Sequence, residues 1–252
     1  MRIFKYLFVV PAITCVPAGA QNAEPLLTKS AIPFVRGEGA IKLDYVRGIG
    51  QSGGNSQVIP ESTLEAGVLS GLEVLVRFPL LLVRPVPGGP AVIGGGQLAL
   101  GARYLLTGTG ARSFAVSVQT IVEAPTGDTK LVGNSTQVIS GVLADWRPIS
   151  RLAIHSNMMF DHSVGGTGRT SSFFEYANAF AWSASRHVVL VFEIAGSADT
   201  ITGRTQLVGL PEVIVPIGQH LELKAGLSPG LNSETHQLAL RTQVAWHWGK
   251  RN

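Results

Sequence analysis

The sequence predicts an all-β chain, a single closed antiparallel up-and-down transmembrane β-barrel of about 12 strands. Three observations predict it. Segments of period-two alternation recur along the chain. The connections between them alternate long and short. An export pattern heads a hydrophobic chain that has no stretch apolar enough for a transmembrane helix.

Side chains on a strand alternate between two faces. The last segment, Gln237–Trp248, shows this most plainly: Leu238, Leu240, Thr242, Val244, Trp246 and Trp248 fall on one face, and Gln237, Ala239, Arg241, Gln243, Ala245 and His247 on the other. An apolar face ending in two Trp fits a soluble core or a lipid boundary, and the rest of the chain decides between them.

The first 20 residues read as a signal peptide. Arg2 and Lys5 precede an apolar run over 6–16, and Pro17-Ala18-Gly19-Ala20 suits cleavage before Gln21. The run is shorter than the roughly 20 apolar residues that span a bilayer. The only cysteine, Cys15, lies inside it, so the mature chain is expected to hold no disulfide. Losing Arg2 and Lys5 takes two from the 20 basic residues against 16 acidic ones, leaving a net charge of about +2. That is no footprint for nucleic acid. Charged residues make up only 14% of the chain and mean hydropathy is +0.27. A hydrophobic exported chain without a spanning helix points to a barrel.

The expected organisation is a signal peptide over 1–20, an irregular periplasmic lead-in over 21–39, and an outer-membrane barrel over 40–252. The lead-in has two Pro and little alternation, and a short helix or plug is open there. Alternating segments then follow at 40–47, 63–69, 72–78, 97–106, 113–123, 137–146, 152–161, 173–182, 188–196, 205–215, 220–227 and 237–248. Two are irregular. Asn178 falls on an otherwise aromatic face, and Pro211 predicts a bulge or a strand end.

Connections after odd segments are long (48–62, 79–96, 124–136, 162–172, 197–204, 228–236), and those after even ones are short (70–71, 107–112, 147–151, 183–187, 216–219). Long outer loops and short periplasmic turns produce this rhythm in a barrel. A Greek-key sandwich does not. Trp146, Trp182, Trp246 and Trp248, with Tyr104, sit beside the short turns or the C-terminus, whereas Tyr45, Phe78, Phe160, Phe174 and Tyr176 sit near the long loops. Two aromatic girdles are expected. At the 70–71 turn, opposed residues must share a face. A three-residue loop over 70–72 would pair Leu69 with Glu73 and make Glu65 and Arg77 cross-strand neighbours, with Gly71 supplying a left-handed conformation.

From Thr63 onward the chain resembles the MetA-pathway of phenol degradation family, outer-membrane barrel proteins of Gram-negative bacteria. The matching pieces are Thr63-Leu64-Glu65-Ala66-Gly67-Val68 with Gly71-Leu72-Glu73-Val74, then Gln97-Leu98-Ala99-Leu100-Gly101-Ala102-Arg103-Tyr104-Leu105-Leu106, then Val122-Glu123-Ala124-Pro125-Thr126-Gly127-Asp128, and Leu221-Glu222-Leu223-Lys224-Ala225-Gly226-Leu227 before the closing strand. The Pro-Thr-Gly-Asp step is the most specific of these. The resemblance implies outer-membrane transport of aromatic or other hydrophobic compounds.

No catalytic motif is present: no phosphate loop, no dinucleotide fingerprint, no His-Glu-x-x-His helix. His155 and Ser156 are adjacent on a strand and point to opposite faces, so they do not form a hydrolase pair. His155, Asp161 and His162 read as a polar wall running into a loop rather than a metal site. No cofactor, metal or nucleic acid is expected. The barrel interior should carry Lys42, Arg77, Arg103, Lys224 and Arg241 against Asp44, Glu65, Glu73, Glu123, Asp145, Asp161, Glu175, Glu193, Glu212 and Glu222, with His155 on the same wall. Such charges either hold the wall together or form a cation-selective filter. The functional expectation is a passive channel or transporter for small solutes, with a structural or assembly barrel closed by its own side chains as the alternative. The expected partners are outer-membrane lipid, the barrel-assembly machinery and a small solute.

Overall fold

The structure is a computed structural model that describes residues 24–50, 58–79, 82–86, 89–108, 114–129, 134–166, 172–233, 235 and 237–249. The signal-peptide segment 1–20, with Cys15, lies outside the described residues.

Fourteen strands are present: β1 (Gly39–Gly50), β2 (Val58–Leu69), β3 (Leu72–Pro79), β4 (Leu82–Val86), β5 (Gly89–Gly94), β6 (Leu98–Thr107), β7 (Phe114–Ala124), β8 (Thr136–Ile149), β9 (Leu152–Val164), β10 (Ser172–Ser185), β11 (Val188–Asp199), β12 (Thr205–Ile217), β13 (Leu221–Ser228) and β14 (Gln237–Trp248). All but β4 and β5 form one antiparallel ring of twelve, each strand paired with its chain neighbours. β1 closes the ring by pairing with β2 on one side and β14 on the other, over a ladder from Gly39↔Trp248 to Gly50↔Gln237. Closure leaves no free edge in the ring.

The β4–β5 hairpin lies within the connection read from the sequence as one long loop over 79–96. Among the described residues it pairs with the ring at Val58↔Val83. Its short strands carry Pro85 and Pro90, which hide any alternation.

Burial inverts the soluble pattern. Lys42, Glu65, Glu73, Glu193 and Glu222 are at most 2% exposed, whereas Leu100, Trp146 and Phe114 are about half exposed. The outer face is therefore apolar and the inner face polar. Two pairs of mid-wall polar side chains turned outward satisfy one another. Thr120 and Ser140 share a 3.0 Å hydrogen bond, and Ser156 donates to Asn178 at 2.9 Å. Asn178, the odd residue of β10, is tolerated on the apolar face because its cross-strand partner is Ser156.

Bulges fall at the short-turn rim, between Gly67/Leu69, Leu105/Thr107, Trp146/Ile149 and Ser183/Ser185. The first corrects the expected register. Leu69 pairs with Leu72 across a two-residue turn with Gly71 at φ 77, and the bulge at Val68 then restores parity. Glu65 consequently faces Leu75, and Arg77 faces Thr63. Glu65 and Arg77 share the inner face and are not cross-strand neighbours. Pro211 does not end β12. It faces outward opposite Phe192, and the ladder to β13 begins at the next residue, Glu212↔Gly226. Pro is tolerated there because its missing N–H falls where β13 pairing stops.

Candidate functional site

Residues 24–38 form no regular element beyond one bridge, Arg36↔Gly67. Sequence reasoning read this stretch as a periplasmic lead-in and left a short helix or a plug open there. The structure places 24–34 inside the ring, against the inner wall near the short-turn rim. An irregular chain in a water-poor interior must find partners for every backbone N–H and C=O. The inner wall supplies them. Glu193 accepts from Leu27 N at 3.0 Å and Thr28 N at 2.6 Å, and Glu212 from Leu26 N at 3.0 Å. Asp145 accepts from Ala31 N at 3.0 Å and from the Ser30 hydroxyl at 2.7 Å, and Glu73 from Phe34 N at 2.8 Å. With its amide turned to satisfy both ends, Asn157 donates to Lys29 O at 2.9 Å and accepts from Lys29 N at 2.6 Å. Carbonyls are met as well: Lys224 donates to Glu24 O, Arg103 to Ser30 O and Ser117 to Ala31 O.

Charge locks the start of this segment. The Glu24 carboxylate pairs with Lys42 and lies 3.7 Å from Arg103. Lys42 also binds Glu65 at 2.6 Å, Lys29 lies 3.7 Å from Glu65, and Arg103 pairs with Glu73. Beside them Lys224 pairs with Glu222 at 3.3 Å. Apolar packing adds to this, because Ala31 is fully buried against Ala115, Leu143 and Met159. The segment leaves the ring past Gly67, where a Cβ would overlap the carbonyl oxygens of Phe34 and Val35. Glycine is required there for close backbone approach.

The structure sorts the charged residues proposed for the inner wall into two sets. Lys42, Glu65, Glu73, Arg103, Asp145, Glu193, Glu212, Glu222 and Lys224 are buried around the segment or beside it. His155 joins them, its Nδ1 2.8 Å from Asp145. Nearer the long-loop rim lie Asp44, Arg77, Glu123, Asp161, Glu175 and Arg241. There Arg77 binds Glu123 at 2.9 Å and Glu61 at 3.5 Å, and Gln243 donates to Asp44 at 2.5 Å. Glu24, Lys29, Glu61, Ser117 and Asn157 were missed by sequence reasoning. Glu61 escaped because β2 begins five residues before its clean alternation, at Val58. Ser117 and Asn157 lie on the polar faces of their alternating strands but carry no charge to single them out, and Glu24 and Lys29 lie where there is no alternation.

Ser156 faces outward and His155 inward, and the hydroxyl that reaches Asp145 is that of Ser30, on the far side from the imidazole. No nucleophile–base pair results. Among the described residues no three His, Cys, Asp or Glu side chains converge on a metal position. Tyr104, Trp146, Trp182 and Trp246 project outward at the short-turn rim, each about half exposed, and Trp248 stacks on Trp246 at 5.9 Å.

Above the segment is a cavity of about 320 Å³. Leu27 forms part of its floor. Glu175 of β10 and Arg241 of β14 lie on its wall, with Asn157, Met159, Gln206 and Val208 among the lining residues.

No family model matches the chain, and no curated protein matches it. Solved structures do. The KdgM porin aligns with a TM-score of 0.59 at 8% identity, over 82% of this chain and 99% of that one. The NanC porin aligns with a TM-score of 0.60 at 7% identity, over 82% and 98%. At these identities the likeness is one of fold.

Proposed function

We propose that the protein is a passive outer-membrane channel for small solutes, with residues 24–34 as a plug in its lumen. The observation that carries this reading is the inverted wall: an apolar, aromatic-rimmed outer face around an ion-paired, hydrogen-bonded interior. Outer-membrane barrels have this distribution, with the girdles at the two interfaces. The short-turn rim then faces the periplasm and the long loops face outside. The fold shared with two barrels named as porins supports the reading. A cleaved signal peptide over 1–20 delivers the chain, and the mature N-terminus, Gln21, lies three residues before Glu24. Lipid and the barrel-assembly machinery are its partners in the membrane, and the barrel has no catalytic role. The MetA-pathway resemblance supports aromatic or other hydrophobic compounds as the solutes.

A second reading, a structural barrel closed by its own residues, draws on one observation, the plug itself. Planar-bilayer recording of the purified mature protein, with liposome swelling across solutes of graded size and polarity, separates the two. Discrete conductance steps and size-limited swelling are expected. A barrel that is folded yet silent in both assays, with the plug present and with it replaced, would establish the structural reading.

A further inference from the structure

The cavity above the plug holds two charged side chains without a partner among the described residues. Arg241 has no hydrogen bond or ion pair among the described residues, and its Nε is buried without a partner. Asp44 and Glu193 act on it only from beyond ion-pair distance. Gln243, which neighbours it across one residue, has already taken Asp44. Glu175 likewise has no hydrogen bond or ion pair. The nearby cation, Arg77, is held between Glu61 and Glu123, so Glu175 shares its side of the lumen with Asp161 and Glu123 and has no cation of its own.

Arg241 and Glu175 are four strands apart around the ring, on β14 and β10, and they do not reach each other. Between them the wall is mixed. Leu27, Met159 and Val208 offer apolar surface, and Gln206 an amide. The volume of about 320 Å³ lies at the small end of the roughly 300–1,000 Å³ that ligand pockets occupy. An unpaired buried guanidinium is costly, and a carboxylate is its best-matched partner, taking two parallel N–H bonds. A purely anionic ligand would have its other end against the Glu175 side. A purely cationic one would leave Arg241 unpaired.

We propose that this cavity binds a small zwitterion with an apolar body, of the size of an α-amino acid, its carboxylate on Arg241 and its ammonium on Glu175. The proposal rests on the channel reading for its physiological sense, as the point where a solute pauses above the plug. Its test does not depend on conduction.

The test is titration calorimetry on the mature protein in lipid nanodiscs, with three probes that share a phenyl body. L-phenylalanine carries both charges, 3-phenylpropanoate only the carboxylate, and 2-phenylethylamine only the ammonium. Phenylalanine should bind at least tenfold more tightly than either. Glu175→Gln should lower phenylalanine affinity at least tenfold and remove the discrimination against 3-phenylpropanoate. Arg241→Gln should do the same with respect to 2-phenylethylamine. Arg241→Lys keeps the charge and loses the fork, and it serves if the Gln variant does not reach the heat-modifiable folded form. A merely structural role would weaken all three probes alike. Equal binding of the three probes, no binding of any, or unchanged discrimination in Glu175→Gln overturns the site. Binding without conductance leaves the site standing and removes the channel reading, and conductance without binding does the reverse.

Discussion

The two ends of the lumen are built from the same residue types and use them differently. Near the short turns, Glu73, Asp145, Glu193 and Glu212 point at backbone N–H groups of residues 26–34, and Lys42, Arg103 and Lys224 surround Glu24. Near the long loops, Arg77 is saturated by two carboxylates, whereas among the described residues Glu175 and Arg241 have neither hydrogen bond nor ion pair. A carboxylate beside an irregular chain acts as a clamp, because it supplies acceptors that the chain needs. A carboxylate beside open space is left for solute and counterion. An inward excess of acid is therefore not by itself a filter, and its meaning depends on what lies next to it.

The comparison breaks most sharply if the orientation is wrong. With Ile201→Cys in the turn between β11 and β12, and Ser150→Cys in the turn between β8 and β9, a membrane-impermeant maleimide on intact cells should label the first and spare the second. The opposite pattern would put the open end in the periplasm.

Next in size is the effect of the plug on current. Replacing 24–34 by a Gly/Ser stretch of equal length leaves every wall ladder in place. Single-channel conductance should rise by roughly an order of magnitude, because the clamped backbone no longer fills the short-turn half. A folded variant with wild-type conductance would show that the segment does not obstruct the path.

A third experiment sets the two ends against each other directly. Hydrogen bonds to charged groups contribute about 1.5–3 kcal/mol each, and orphaning their partners adds to the loss. Glu193→Ala strips acceptors from Leu27 N and Thr28 N and should destabilise the barrel by about 3 kcal/mol. Glu175→Gln should stay within about 0.5 kcal/mol. Guanidinium unfolding in micelles measures both, and equal losses would erase the distinction between clamp and free carboxylate.

The smallest effect concerns ions. Among the described residues of the inner wall, Asp44, Glu61, Glu123, Asp161 and Glu175 outnumber Arg77 and Arg241 toward the long loops. A cation preference of roughly a few-fold is expected in dilute salt, because a low-dielectric wall focuses the field. It should fade as the Debye length falls to about 3 Å at 1 M. Reversal potentials in a salt gradient read this, and an anion preference would contradict it.

The wall was legible in the sequence because each strand writes its faces locally, as alternation, and each turn writes its length. What depended on one extra residue was not. The bulge at Val68 moved Glu65 from Arg77 to Leu75 without disturbing a single face. The β4–β5 hairpin was hidden by prolines. The contacts of the plug were hidden for a different reason. Its eleven residues, 24–34, have no periodicity to read, since their backbone partners are side chains on β3, β6, β7, β8, β9, β11, β12 and β13. What those carboxylates hold was not visible from their own strands.

That arrangement also sets an order of assembly. Lys224 meets Glu24 across 200 residues of sequence, and Glu212 meets Leu26 across 186. Contacts of such separation form only after the intervening chain has been ordered, and they carry the loop-closure entropy that makes non-local topologies slow to fold. Residues 24–34 thus complete their contacts only after the strands that carry their partners are in place. Until β11 and β12 stand in the wall, the N–H groups of Leu26, Leu27 and Thr28 lack their acceptors. The nascent barrel must either keep them in water or close around them.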